Sequence, residues 1–238
     1  YSTFLQRAYD NIIHDVALQN LPVVFVLDRG GIVGEDGPTH HGAFDLSYLC
    51  TVPNMIVTAP RNGTELRRLM FTALEQNDAP FAIRYPKDSY VEFDDQAPAV
   101  PYQIGKWEII HNGQDVAILS VGVMTNNAIE AACLLKSKNI FPTIVHARFV
   151  KPLDTQMLSE IASKHRIIIT IEENSIVGGF GEQVARYFAE QNLPQKINIL
   201  AIPDHFIEQG AREILLRDLD LDAVGIANKV EQIYHKLE

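Results

Sequence analysis

The chain has 238 residues, 47% hydrophobic and 21% charged, enough apolar material for one large or two ordinary globular domains and too much for disorder. Thirty acidic against 20 basic residues give a formal charge of −10 with no Lys/Arg block, which argues against nucleic acid or an anionic membrane surface as partner. No apolar run reaches the ~20 residues that span a bilayer, and Cys50 and Cys133, in apolar stretches without metal-ligand spacing, are expected as two buried free thiols.

Tyr1, not Met, opens the chain, as expected of a processed or cut product whose targeting segment would be lost. Ser2 or Thr3 can cap a helix whose apolar positions Phe4, Leu5, Ala8, Ile12, Ile13 and Val16 recur at helical spacing. Residues 23–27 are continuously apolar and β-branched, the pattern of a strand buried on both faces. The polar, Gly-rich segment 28–42 then reads as a long loop leaving the carboxyl end of that central strand. A short helix at 44–49, a strand at 55–58, an amphipathic helix at 64–76 and a strand at 81–85 follow, the last stopped by Pro86.

Residues 91–101 are acidic and broken by Pro98 and Pro101, and read as a linker. Beyond it, strands at 116–121, 143–147, 167–171 and 197–202 alternate with helices at 126–138, 154–164, 181–190 and 222–236, with Asp154 as an N-cap. The fold class expected is α/β: an incomplete unit of about three parallel strands with flanking helices over 1–92, a linker over 93–103, and a complete unit of about four strands over 104–238.

The loop 28–42 concentrates chemistry. Five of its fifteen residues are glycine, and it carries Arg29, Asp36, His40 and His41. An imidazole near a carboxylate can move protons near neutral pH; a solvated loop whose histidines tie the backbone together is the bland alternative. Gly178-Gly179-Phe180-Gly181 follows a strand and opens a helix, but Glu172-Glu173 before it would repel phosphate and the spacing misses the dinucleotide fingerprint, so turn chemistry is expected there. Asp204, His205 and Glu208 read as a surface turn, not a metal site.

The run 1–10 (Tyr-Ser-Thr-Phe-Leu-Gln-Arg-Ala-Tyr-Asp), Asp28-Arg29, 34–45 (from Gly34-Glu35-Asp36-Gly37 to Asp45), Arg84-Tyr85-Pro86, 148–154, Glu172-Glu173-Asn174 with Gly178-Gly179, 200–204 and Gln209-Gly210 together resemble the 1-deoxy-D-xylulose-5-phosphate synthase family. That family stands among the transketolase-like thiamine-diphosphate enzymes. The resemblance covers essentially the whole chain. It implies an incomplete thiamine-diphosphate pyrimidine-binding domain followed by a transketolase C-terminal-type α/β domain that mainly supports the fold and dimer contacts. It also implies decarboxylative condensation of pyruvate with glyceraldehyde 3-phosphate, giving 1-deoxy-D-xylulose 5-phosphate and CO2.

Roles follow from the same resemblance. His40 and Asp36 would be catalytic, and Phe4 would stack on the aminopyrimidine of thiamine diphosphate. Tyr1, Arg7, Arg29 and Lys87 would bind substrate, Arg29 and Lys87 at its phosphate. Lys87 stands where the family usually has arginine, and Asp88 where it commonly has glycine. His41 would support the loop, and Arg84 would be structural. No metal ligand is expected in this chain; the residues that hold Mg²⁺ and the diphosphate, and the glutamate that activates the cofactor, are expected in a missing amino-terminal part, so the chain alone is expected to be inactive. The implied partners are that part and a second copy in a homodimer, without nucleic acid or membrane. A bacterial cytoplasm is the default setting, and the plastid stroma the alternative. Two other readings stay open: a beta-type subunit of a 2-oxo-acid dehydrogenase or a transketolase half, and a non-catalytic dimerisation module.

Overall fold

The computed structural model describes residues 1–88 and 93–236. Strands β1 (Val24–Leu27), β2 (Ile56–Thr58) and β3 (Phe81–Arg84) are mutually parallel through β3, with Leu27 beside Arg84 at the carboxyl end. The second unit supplies β4 (Glu108–His111), β5 (Val116–Ser120), β6 (Thr143–His146), β7 (Phe149–Lys151), β8 (Ile167–Ser175) and β9 (Ile197–Ile202). Two sheets result, in the orders β1-β3-β2-β7 and β4-β6-β5-β8-β9.

Three expectations about strands change. β1 is an edge strand with Val26 46% exposed, because nothing among the described residues pairs with its outer side; the predicted central, doubly buried strand is not what forms. Neither sheet is wholly parallel. β7 crosses back from the second unit to pair antiparallel with β2, and β4 pairs antiparallel with β6. β4 escaped the sequence reading because Glu-Ile-Ile-His is too short and mixed to show a period. β8 runs four residues beyond the expected strand, carrying Glu172, Glu173 and Asn174 into full burial.

Helices differ mainly at their ends. Over residues 2–17, α-turns at Ser2–Leu5 and Tyr9–Asn11 alternate with a 3₁₀ turn at Gln6–Ala8 and a π turn at Ile12–Ala17. Neither Ser2 nor Thr3 caps this segment: the Ser2 hydroxyl donates to Asp45 (2.8 Å) and that of Thr3 to the Thr39 carbonyl. Gly63–Glu75 is capped by Asn62, Thr155–Lys164 by Asp154 and Ala223–His235 by Asp222, each accepting from a backbone N–H three residues on. Arg212–Asp218 is an unforeseen helix. Phe180–Glu190 begins where the glycine run ends. Its free Phe180 and Gly181 N–H groups are taken by the buried Glu172 carboxylate at 2.7 and 2.8 Å, so no phosphate can use them. Burial pushes the Glu172 carboxyl up to about 7 against the pull of those two donors. Cys133 is exposed, contrary to expectation, because it lies on the outer face of Met124–Leu135; Cys50 is half-buried.

The predicted linker 91–101 begins partly outside the described residues. Residues 93–103 carry no helix or strand, yet they do not hang free. Arg67 and Arg68 donate to the carbonyls of Ala97 and Val100, and the Tyr102 N–H donates to Thr72. The two units also share a core: Phe81 of β3 meets Phe149 of β7 edge-on.

A buried ionic hub fastens the same junction. Glu65, on Gly63–Glu75, reaches His146 of β6 (2.6 Å), Arg148 (2.6 Å) and the Arg61 N–H (2.7 Å). The other ring nitrogen of His146 shares a hydrogen bond with Thr125, and Arg148 also pairs with Glu108 and lies over the Tyr102 ring. Burial pushes the Glu65 carboxyl up, but His146, Arg148 and the Arg61 N–H together hold it down at about 2.

Candidate active site

The parallel register of β1 and β3 brings both strands to the same edge of the sheet, where Asp28 follows Leu27 and Tyr85 follows Arg84. The loop starts there. The Gly30 N–H donates to the Tyr85 carbonyl (2.9 Å), and Gly31 and Gly42 exchange two backbone hydrogen bonds of 2.8 Å that close the loop at its neck. Gly31 has φ +81°, and a β-carbon there would sit 2.4 Å from the Glu173 carboxyl carbon, so only glycine fits.

Below the neck, Arg84 is buried and ion-paired with the buried Asp45 (3.1 Å), while its guanidinium donates to the carbonyls of Gly42 and Glu173. The expected structural role of Arg84 is what this geometry provides. His41 is also buried: its Nδ1 accepts from the Val33 N–H (3.1 Å), and Nε2 lies 3.3 Å from the Glu208 carbonyl oxygen. Burial pushes its pKa down, favouring the neutral ring that can accept from Val33.

Above the neck the exposed side chains gather. Tyr1 and Phe4 stack with ring centroids 4.9 Å apart at 11°, and His40 meets Phe4 edge-on at 5.4 Å. The Arg29 guanidinium lies 3.7 Å from the Tyr1 ring centre and pairs with Asp28. Arg29 adopts φ +58°, and its Nε is buried without a hydrogen-bond partner, two costs of the kind that cluster at functional sites. His40 shares a 2.9 Å hydrogen bond with the Thr39 hydroxyl through Nδ1.

Lys87 and Asp36 form an ion pair of 2.8 Å. That hydrogen bond holds the Asp36 carboxyl below the usual carboxylate range, with further help from the charges of Lys87, His40 and Arg29. One carboxylate therefore feels three of the four cationic or proton-carrying side chains predicted for the site, Lys87, His40 and Arg29. Arg7 stands apart from that group: it is exposed and lines, with Phe4, Thr39, Phe44 and Phe206, an open pocket of about 440 Å³.

Sequence reasoning missed what grips the loop from below. The Ile32 N–H donates to Glu173 (2.6 Å), and Glu173 pairs with Arg212 (2.8 Å). The signal was present in Glu172-Glu173-Asn174: consecutive polar residues continuing a buried strand must have dedicated partners. No group of three His, Cys, Asp or Glu residues that could hold a metal ion occurs among the described residues, the 204–208 turn included.

Residues 1–92 match the family "Transketolase, pyrimidine binding domain" and residues 105–226 match "Transketolase, C-terminal domain". The chain belongs to the transketolase family. Within it, the chain is 47% identical to a 1-deoxy-D-xylulose-5-phosphate synthase of Chlorobaculum tepidum over 98% of its length, and 49% identical to one of Geobacter sulfurreducens over 97%. It spans only 37% and 36% of those two relatives. Among solved structures, a split-gene transketolase captured as an inactive beta4 tetramer superposes with a TM-score of 0.85 at 26% identity, covering 98% of this chain and 73% of that one. A transketolase of Pichia stipitis shares the fold, with a TM-score of 0.77 at 18% identity over 99% of this chain and 33% of its own. The two family matches cover the residues of both sheets, and the similarity to these synthases runs over 97–98% of the chain.

Proposed function

We propose that this chain is the carboxy-terminal part of a 1-deoxy-D-xylulose-5-phosphate synthase, acting with thiamine diphosphate to condense pyruvate with glyceraldehyde 3-phosphate and release CO2. The observation that carries this reading is the meeting of Tyr1, Phe4, Arg29 and His40 in one cluster beside the Lys87–Asp36 pair. The same reading divides the chain into residues 1–92, a connector over 93–103 and a C-terminal domain over 104–238. It favours a homodimer in a bacterial cytoplasm, in line with the bacterial relatives.

The residues fit one half of the cofactor. Phe4 is 49% exposed and offers an aromatic face suited to a flat heterocycle. On this reading the Mg²⁺ and the diphosphate are held by residues outside this chain. When bound, thiamine diphosphate supplies the electron sink for decarboxylation; the chain's own side chains bind, orient and move protons. Arg29 and Lys87 bring two cations to the phosphate of the aldehyde substrate. Phosphate at Lys87 would compete with Asp36, freeing that carboxylate for a substrate hydroxyl. His40, fixed through Nδ1, has Nε2 to exchange a proton with the carbonyl oxygen that becomes a hydroxyl. Arg7 lines the entrance beside Phe4.

The test is reconstitution. The chain should form no product alone, and should form 1-deoxy-D-xylulose 5-phosphate when joined to the amino-terminal portion of a synthase. In that completed enzyme His40→Ala should lower kcat by about 10²–10⁴-fold, the range for a general acid–base group, with circular dichroism unchanged. Wild-type turnover in the His40→Ala variant would remove His40 from the chemistry.

A further inference from the structure

The second unit does more than buttress the first: it holds the backbone of the substrate loop at Ile32. Ile32 sits between two charged side chains from beyond the connector. Its N–H donates to Glu173 Oε1 (2.6 Å), and its carbonyl accepts from Arg212 Nε (3.1 Å). The clamp is closed on itself, because Arg212 Nη2 donates to Glu173 Oε2 at 2.8 Å. Glu173 is fully buried and the Arg212 side chain is 20% exposed. A guanidinium is the one side chain that can serve the carbonyl with Nε and the carboxylate with Nη2 at once. Arg212 opens a seven-residue helix, and the turn before it touches the loop again where the Gly210 N–H faces the Gly34 carbonyl at 3.4 Å.

Ile32 lies four residues before Asp36 and eight before His40, inside the neck closed by Gly31 and Gly42. The ring of Glu173, Ile32 and Arg212 thus fixes where the loop leaves the protein, while Asp36 pairs with Lys87 and His40 with Thr39. Their reach toward substrate is set from the other domain. We propose that Glu173 and Arg212 are positioning residues for the reaction, holding the loop so that Asp36 and His40 meet the substrate in register. This rests on the reaction proposed above. A misplacement of about 1 Å at a reacting group can cost 10²-fold in rate, so the clamp acts on kcat more than on affinity.

The experiment uses the completed enzyme. Arg212→Met should lower kcat on the order of 10²-fold with a much smaller change in KM for pyruvate. It should also speed hydrogen exchange selectively in the peptide spanning 28–42. Arg212→Lys, which keeps the charge and can reach only one of the two acceptors, should fall between. Wild-type kcat in Arg212→Met, or unchanged exchange over 28–42, overturns the clamp. If the methionine variant does not fold, Arg212→Lys carries the test, and wild-type values in that variant overturn it. A double-mutant cycle separates this from the reaction assignment: Arg212→Met should cost little further in a His40→Ala background, whereas losses that multiply overturn positioning through the loop. Failure of the completed enzyme to form 1-deoxy-D-xylulose 5-phosphate would sink the reaction assignment alone, and exchange over 28–42 would still decide the clamp.

Discussion

Two clusters of charged and aromatic side chains stand in this molecule, and they are built on opposite principles. The hub of Glu65, His146, Arg148 and Thr125 is buried, and its carboxylate accepts three bonds. The loop cluster of Tyr1, Phe4, Arg29, Asp36, His40 and Lys87 is half-open: Arg29 has a buried Nε without a partner, and the Lys87–Asp36 pair is solvent-reachable. Saturation fixes a junction, since every donor would be left unpaired if the units parted. Spare capacity marks a site, since a ligand can complete what the protein leaves open. Counting charged neighbours alone would not tell the two apart.

The sharpest way to break that contrast is to remove the centre of the hub. Glu65→Ala leaves the buried Arg148 with Glu108 as its ion-pair partner and strips His146 of its carboxylate. It should cost about 3–5 kcal/mol, the range for breaking a buried ionic pair. Chemical denaturation of the full protein would read it. A loss below about 1 kcal/mol, the worth of an exposed pair, would mean that the hub is no more structural than the loop. Removing Asp36, by contrast, should leave the denaturation midpoint where it was.

Arg29, Asp36 and His40 stood out in the sequence because they share one Gly-rich segment, whereas Tyr1, Phe4 and Lys87 entered only through the family resemblance. The alternation of strands and helices was legible too, since the buried parallel strands of the two mixed sheets are continuous apolar runs. What escaped was assembled from distant segments. Glu65 meets His146 across 81 positions, and Ile32 meets Glu173 across 141. No local period announces such contacts. β7 was visible as a motif, Arg148 to Asp154, but its crossing to the first sheet depends on where β2 offers an unpaired edge. The edge position of β1 was missed for a related reason: a run of β-branched residues reports β-propensity and apolarity, not the number of neighbours a strand finds.

Acid sharpens the comparison further. The Glu65 carboxyl, at about 2 in the fold against 4.5 unperturbed, binds protons more readily when unfolded. Its contribution is complete above about pH 4.5 and fades as pH falls toward about 2. Over that window the hub should lose about 3 kcal/mol. In a Glu65→Gln variant this part of the acid dependence should be gone, leaving a flatter stability curve between those limits. A variant curve parallel to that of wild type would show that other carboxylates set acid unfolding.

The smallest effect is expected at the loop, where solvent screens the charges. Asp36 is held below the usual carboxylate range first by its hydrogen bond from Lys87, so it stays ionised to lower pH than a free side chain. Lys87→Met removes both that hydrogen bond and the nearest positive charge. The Asp36 carboxyl should then move up toward its ordinary value, visible in the carboxyl carbon shift by NMR, and the acid limb of kcat/KM in the completed enzyme should move to higher pH with it. Stability should not change, since both partners are exposed. Lys87→Arg should keep the Asp36 carboxyl low while restoring a planar fork, and so should lower KM for glyceraldehyde 3-phosphate and leave KM for pyruvate alone. An acid limb that stays in place in Lys87→Met would separate Asp36 from the pH dependence, and a KM for pyruvate that follows Lys87→Arg would place Lys87 at the wrong substrate.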